Sequence, residues 1–338
     1  MNNFMKMFFF LLMITGILIS ISSNSWLMTW MGLEINMMAF IPIINNNNLK
    51  TIYFSETSMK YFLIQAFSSL IFLMSIILLN LKNNFMISLY SNYWNMIMNT
   101  ALMMKMGAAP LHFWIPEIME KLSWINNLIL MTVQKITPML LLWMNYNQML
   151  FMNFFIISSV MIGSLGGITQ LNLNKIMAYS SINHTGWMLA SLIFSKMTWL
   201  IYYIIYTIIS MSIILTLNNL NVFHLKSMFN LKMNYLMKFS FALSILSLGG
   251  LPPFLGFIPK WLIIQNLTNL NYYFTNLIMI MTSLIMLFFY LRLSISLFIL
   301  PSNKLMINSN YYNQNKFMPM FMFMNIMGLP MCTLLINM

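Results

Sequence analysis

Aspartate does not occur in the 338 residues, cysteine occurs once, histidine three times, and charged side chains make up only 6% of the chain. Soluble domains carry roughly a quarter charged residues, so this scarcity excludes one. The single cysteine, Cys332, allows no disulfide framework, no thiolate metal cluster and no dithiol redox pair. Three histidines leave little material for haem or metal ligation, and the chain is expected to carry no redox cofactor of its own. A GxxxxGKS or GxxxxGKT phosphate loop and a dinucleotide fingerprint are both missing, so nothing in the sequence supplies energy for work. Any driving reaction must lie in a partner or in an opposing ion gradient.

What is there is apolar: 60% of residues are hydrophobic, 15% are aromatic, and the mean hydropathy is +0.80. The apolar runs are continuous and do not alternate, which excludes a transmembrane β-barrel. Allowing roughly 30 residues for a span and its connection predicts about eleven transmembrane helices in an all-α polytopic fold. The spans fall near 4–21, 25–44, 59–80, 93–121, 124–144, 149–170, 175–195, 197–218, 239–268, 273–300 and 317–337. The first is span-length and is followed by others, so it reads as a helix and not as a signal peptide. Asparagine clusters such as Asn45–Asn48 and the polar stretch Ser302–Lys316 read as short loops, leaving a single membrane domain over 1–338. The 41 methionines are spread over every span, which marks a compositional bias and not a methionine-lined site.

Sixteen Lys and Arg against four Glu give a formal charge of +12. In a soluble protein this would suggest a nucleic-acid surface. Here the basic residues are scattered between apolar runs, which fits the positive-inside bias and no nucleic-acid partner. With alternating spans, one side receives Lys6, Lys50, Lys60, Lys121, Lys175, Lys226, Lys232, Lys238, Arg292, Lys304 and Lys316, and the other only Lys82 and Lys196. The asymmetry puts the N-terminus on the positive inside face. An odd number of spans puts the C-terminus on the other.

Lys105, Lys135 and Lys260 fall within spans, as does Glu34. A charge at mid-membrane costs roughly 2.5–3.5 kcal/mol on insertion scales, which makes each a candidate functional residue. Glu34, in the run Trp30–Asn36, is either such a residue or a boundary carboxylate capping a short span. Lys105 precedes Pro110, which cannot donate to the carbonyl of Met106, so the helix should break there beside small residues 107–109. Broken helices at membrane depth occur where freed backbone is buried in protein or lines a wet cavity. The alternative is a lysine snorkelling to the interface. Lys135 is followed by Pro138, which leaves the carbonyl of Gln134 without its helical donor. Lys260 follows a run containing Gly249, Gly250, Pro252, Pro253, Gly256 and Pro259, which is either a second break within the membrane or an interfacial loop.

Spans 4 and 9 are both proline-broken, both carry a lysine near the break, and lie five spans apart. Because five is odd, a repeat of spans 1–5 onto 6–10 would be inverted, the arrangement in which transporters build sites from discontinuous helices. This divides the chain into 1–145, 146–300, and a loop with a final helix over 301–338. Glu34 then corresponds to the region of His184, a side chain that ordinarily titrates near neutrality and is either a proton relay or a satisfied core histidine. His112, two residues beyond Pro110, is a weaker relay candidate, and His224 sits in a basic loop. A pairing of Glu34 with Lys105 would tie the proton affinity of Lys105 to the state of that pair, with protons passing through Lys135 toward Lys260.

Three stretches carry a resemblance. They are Met104-Lys105-Met106-Gly107-Ala108-Ala109-Pro110-Leu111-His112-Phe113-Trp114-Ile115-Pro116-Glu117, then Ala178–Ile182 with His184 and Gly186, then Gly249–Pro253 with Gly256, Phe257, Lys260 and Trp261. In order and spacing, and over essentially the whole chain, the sequence resembles the antiporter-like subunits of respiratory complex I in their animal mitochondrion-encoded form. The methionine and asparagine excess is similar to the output of an AT-rich mitochondrial genome. The resemblance implies the inner mitochondrial membrane with a matrix-side N-terminus and a C-terminus on the intermembrane-space side. It implies other complex I subunits as partners, notably neighbouring antiporter-like chains and the small subunit 4L, with phospholipid around them. NADH, FMN, iron–sulfur clusters and ubiquinone are implied in the assembly, in other chains. By position, Glu34, Lys105, Lys135 and Lys260 match residues proposed for the family's proton path, whereas Lys175 and His184 stand where its members vary.

The leading expectation is thus a core membrane subunit of proton-pumping NADH:ubiquinone oxidoreductase, an enzyme subunit without a redox centre. A stand-alone cation/proton antiporter is the alternative, opposed by four carboxylates as the whole supply of hard oxygen ligands. A non-conducting structural subunit of the membrane arm is the third, opposed by the buried lysines.

Overall fold

The computed structural model describes residues 3–45, 51–82, 91–145, 149–228 and 235–298. Among these the chain is helical throughout, apart from loops and an isolated bridge between Asn172 and His224. The span expected at 317–337, with Cys332, lies outside the described residues, as does the 302–316 stretch. Fourteen helices are described: α1 (Asn3–Ser22), α2 (Trp26–Ile44), α3 (Thr51–Lys82), α4 (Ser91–Met106), α5 (Trp114–Lys121), α6 (Trp124–Met131), α7 (Val133–Met144), α8 (Met149–Ile168), α9 (Leu173–Phe194), α10 (Lys196–Leu220), α11 (Leu225–Met228), α12 (Tyr235–Gly249), α13 (Phe257–Asn269) and α14 (Tyr273–Phe298).

Local chemistry sets several of these ends. Ser25 and Ser195 hold extended backbone and accept from the amides of Met28 (3.4 Å) and Thr198 (3.2 Å), which caps the otherwise unpaired N–H groups of α2 and α10. Along α1, Phe4, Met7, Leu11, Ile14 and Leu18 share one face and point outward, while Met13, Ile17 and Ser20 point inward. A soluble helix does the reverse, and an apolar outer stripe is stable only where the surroundings are apolar too. On the inner faces, Ser68, Ser75, Ser159 and Ser181 are buried and donate to the carbonyl three residues back. Among the described residues, seven helical segments are long and apolar enough to cross a membrane: Phe4–Ser22, Trp26–Ile44, Ser55–Asn80, Trp124–Met144, Met149–Ile168, Lys196–Leu220 and Tyr273–Phe298. The chain is a polytopic, all-α membrane protein.

The chain forms two compact units, the first through Phe155 and the second from Ile156. In the first, α1 and α2 pack backbone to backbone. A Cβ on Gly32 would lie 2.7 Å from the Ser20 nitrogen, and one on Gly16 would lie 2.9 Å from the Asn36 nitrogen. Helix α2 packs on α3, α3 on α4 and α5, and α7 against both α1 and α4. In the second unit the backbones of α8 and α9 meet at Gly163, where a Cβ would lie 2.6 Å from the Asn183 nitrogen. Helix α10 packs on α9, α12 and α13, and α14 covers α12 and α13.

Two elements differ from the sequence reading. Helix α3 starts eight residues before the expected 59, which carries Glu56 into the helix one turn ahead of Lys60 as an i,i+4 pair. The stretch 124–144 is also interrupted, at Thr132 (φ −111°, ψ −79°) and not at Pro138, which stays inside α7. The pyrrolidine ring opposes the carbonyl one turn earlier, at Gln134. The chain relieves this at its first free turn: the Lys135 amide bonds to the Thr132 carbonyl three residues back (3.0 Å), and the Thr132 hydroxyl takes the Leu128 carbonyl (2.7 Å).

Candidate functional site: buried lysines at interrupted helices

Helix α4 ends as the sequence around Gly107 requires. Gly107 adopts φ +66°, its amide bonds to the Met104 carbonyl (3.1 Å), and the Ala108 amide bonds to the Met103 carbonyl (3.0 Å). This pair of bonds is a Schellman cap, and it depends on a residue that tolerates left-handed backbone. Two side chains also donate to carbonyls of the last turn: Trp114 Nε1 to Met104 (3.2 Å), which thus accepts twice, and Gln65 Nε2 to Lys105 (3.3 Å). Pro110 follows, in a cis peptide with Ala109. Lys105 therefore sits in the terminal turn of a half-helix, where the exposed carbonyl dipoles favour a cation, and its side chain is buried.

Around it the first unit gathers polar groups from four helices. Lys105 lines one small cavity with Asn36, Tyr61, Gln65, Gln134 and Thr137. Asn36 and Gln134 face each other as paired amides, with Nδ2 to Oε1 at 3.1 Å and Nε2 to Oδ1 at 3.2 Å, and the Tyr61 hydroxyl donates to the same Gln134 oxygen (3.4 Å). Glu34 stands on α2, half-buried, with Oε1 fully enclosed and without a hydrogen-bond partner. It acts on Lys105 electrostatically but makes no direct ion pair with it; the ion pairs among the described residues join Lys60 to Glu56 and Glu117, and Lys121 to Glu56. Lys135, in the first turn of α7, is 1% exposed. His112 lies in the turn between α4 and α5, where its Nδ1 meets the Pro110 carbonyl (3.2 Å) and its ring lies 4.4 Å from that of Phe113. Its hydrogen bond is thus local to that turn and does not reach Lys105.

The second unit repeats the motif with different side chains. Helix α12 ends at Gly249 and is followed by Gly250, φ +78°, whose amide bonds to the Ser247 carbonyl (3.0 Å), and Pro252 and Pro253 follow in the turn before α13. Here the lysine itself provides the cap: Lys260 Nζ reaches back to the Gly249 carbonyl at 2.8 Å, inside a buried site, and lies 5.6 Å from the centre of the Trp187 ring. A carbonyl at a helix C-terminus and an aromatic face are two neutral ways of holding a cation away from water. On α9, His184 is buried with Nδ1 2.8 Å from the Tyr202 hydroxyl and its ring 4.9 Å from that of Tyr206. His184, Tyr202, Tyr206, Ser247 and Gly256 share a small cavity.

The titratable residues expected from the sequence are divided between the units: Glu34, Lys105, His112 and Lys135 belong to the first, Lys260 and His184 to the second. Neutral partners were not legible in the same way. Asn36, Gln65, Gln134, Thr137 and Tyr202 carry no charge, so a search for charges in apolar runs passes over them, although Gln134 adjoins Lys135 and Asn36 lies two residues from Glu34. The ion-pair network at the start of α3 was also missed, because Glu117 and Lys121 are distant from it in sequence.

The family model described as NADH:quinone oxidoreductase/Mrp antiporter, TM, matches residues 23–286. The chain is 48% identical over 334 residues to NADH-ubiquinone oxidoreductase chain 2 of Anopheles gambiae, covering 97% of this chain and 96% of that one. It is 38% identical over 346 residues to the protein of the same name from Rhynchonycteris naso, covering 96% and 95%. In fold it is similar to a chain of respiratory complex I from Thermus thermophilus (TM-score 0.86, 19% identity, 99% of this chain and 80% of that one). It is also similar to a chain of the Mrp complex from Dietzia (TM-score 0.76, 15% identity, 86% and 60%). The interrupted helices with their buried lysines are thus set in a chain that belongs to the NADH-ubiquinone oxidoreductase chain 2 family of antiporter-like membrane subunits.

Proposed function

We propose that the chain works as a core membrane subunit of proton-pumping NADH:ubiquinone oxidoreductase, and that Glu34, Lys105, Lys135 and Lys260 carry its proton path. The observation that carries this reading is the burial of three lysines at interrupted helices, each beside polar backbone or polar side chains and away from bulk water. Such lysines exchange a proton with little structural change, because carbonyls and amides remain hydrogen-bonded in either state. Gain or loss of the Lys105 proton alters its attraction to Glu34, which links the carboxylate to the lysine. His184, with Tyr202, is a relay candidate in the second unit, and His112 a weaker one in the first. NADH, FMN, iron–sulfur clusters and ubiquinone belong to other chains, where the oxidation and reduction occur.

The membrane arrangement we propose has eleven spans, the ten helical stretches described and 317–337. Broken α4–α5 and α12–α13 and polar α9 are spans in this reading although each falls outside the seven long apolar segments, because a break or a buried polar face lowers the apolar content of a span that protein neighbours enclose. Two five-helix repeats of opposite topology then account for a broken helix with a left-handed glycine in each unit. The location is the inner mitochondrial membrane, N-terminus to the matrix and C-terminus to the intermembrane space. Partners are other complex I subunits, including neighbouring antiporter-like chains and the small subunit 4L, with phospholipid between.

A stand-alone cation/proton antiporter is the second reading, favoured by the likeness to the Mrp complex chain. Mild detergent extraction, native electrophoresis with an NADH-dehydrogenase stain and mass spectrometry of the active band separate the two. Comigration with the NADH-oxidising band is the expected result. Migration alone would overturn the reading and call for cation/proton exchange assays in proteoliposomes.

A further inference from the structure

The cavity beside Lys105 has a volume of about 10 Å³, room for one water molecule. Of its polar walls, most are already engaged. Asn36 and Gln134 use their amides on each other, Tyr61 donates to Gln134, Gln134 Nε2 also reaches Met13 Sδ (3.4 Å), and Gln65 is held by the Lys105 carbonyl. The Thr137 hydroxyl is the exception: it is 0% exposed and has no hydrogen-bond partner among the described residues, and Lys105 lines the same cavity. A buried hydroxyl left unpaired costs about 1–3 kcal/mol, and Thr137 reaches the cavity from the turn that Pro138 keeps from regular pairing.

We propose that this cavity is a binding site for a single water molecule shared by the Lys105 ammonium and the Thr137 hydroxyl, with Thr137 a positioning residue for proton exchange at Lys105. A water in this place accepts from the ammonium when Lys105 is charged and donates to the amine lone pair when it is neutral. Thr137 serves both states, because a hydroxyl donates or accepts by rotating about one bond. The amide pair of Asn36 and Gln134 forms a wall that is self-satisfied and does not compete for the water. The inference rests on the reading of Lys105 as a proton carrier.

The test compares Thr137→Val, Thr137→Ser and Lys105→Met in the intact assembled complex, reading protons pumped per electron transferred from NADH. Valine keeps the shape and removes the hydroxyl; serine keeps the hydroxyl. The expected result is that Thr137→Val lowers the ratio to the Lys105→Met value and Thr137→Ser retains it. A normal ratio in Thr137→Val beside a lowered one in Lys105→Met overturns the water site alone. A normal ratio in Lys105→Met overturns the underlying reading. Should Thr137→Val fail to assemble, a high-resolution map of the unmutated complex decides: density for a water between Lys105 and Thr137 supports the site, and an apolar void there overturns it.

Discussion

Lys260 shows how tightly one glycine can bind a function to a backbone shape. Gly250 takes φ +78°, and a Cβ there would lie 2.8 Å from Lys260 Cδ and 3.0 Å from its Nζ. Gly250→Ala therefore combines a left-handed backbone penalty of about 1–2 kcal/mol with displacement of the amine from the Gly249 carbonyl. The expected outcome is a reduced amount of assembled complex and a lowered proton-to-electron ratio in what assembles. A full ratio would show that the contact does not position the lysine. That Lys105, Lys135 and Lys260 stand out as candidates was legible from the sequence, because a lysine in an apolar run is costly wherever the run folds, and all three are buried in the fold. What surrounds each lysine was not, since Gln65, Trp114 and Trp187 come from other helices and reach their lysine or its turn only in three dimensions.

At the scale of helices, α4 ends at Met106 and α12 at Gly249, where a left-handed glycine, Gly107 or Gly250, stands two or three residues ahead of a proline: the glycine admits the capping turn and the proline lacks the donor to continue. Pro138 misled: a proline without glycine beside it can remain in a helix if an earlier turn yields, as Thr132 does. The span expected near 59–80 also leaves out the polar residues Ser55, Glu56, Thr57 and Ser58. In the fold they continue the helix, and Glu56 meets Lys60 (3.1 Å) and Lys121 (2.6 Å). This network is largely exposed, and exposed ion pairs contribute little because water and salt screen them. Glu56→Gln is accordingly expected to leave the level of assembled complex and its heat inactivation unchanged. A clear drop in either would show that a partner or the membrane buries the network.

At the scale of the molecule, continuous apolar runs, few charges and an outward apolar stripe on α1 agree on one class of solvent, the bilayer. Composition alone sufficed for that. The segments α4–α5, α9 and α12–α13 fall outside the seven long apolar helices of the described residues, because polar or broken stretches lower the apolar content of each. The two units each hold an interrupted helix, a left-handed glycine and a buried lysine, and the family's membrane subunits share the fold. In the proposed function Lys105 carries protons for an assembly whose energy comes from elsewhere. The ratio of protons pumped to electrons transferred, read in sealed vesicles with NADH as donor on the assembled complex bearing Lys105→Met, decides this. Continued NADH oxidation with a lowered ratio is the expected result, and an undiminished ratio would overturn the role.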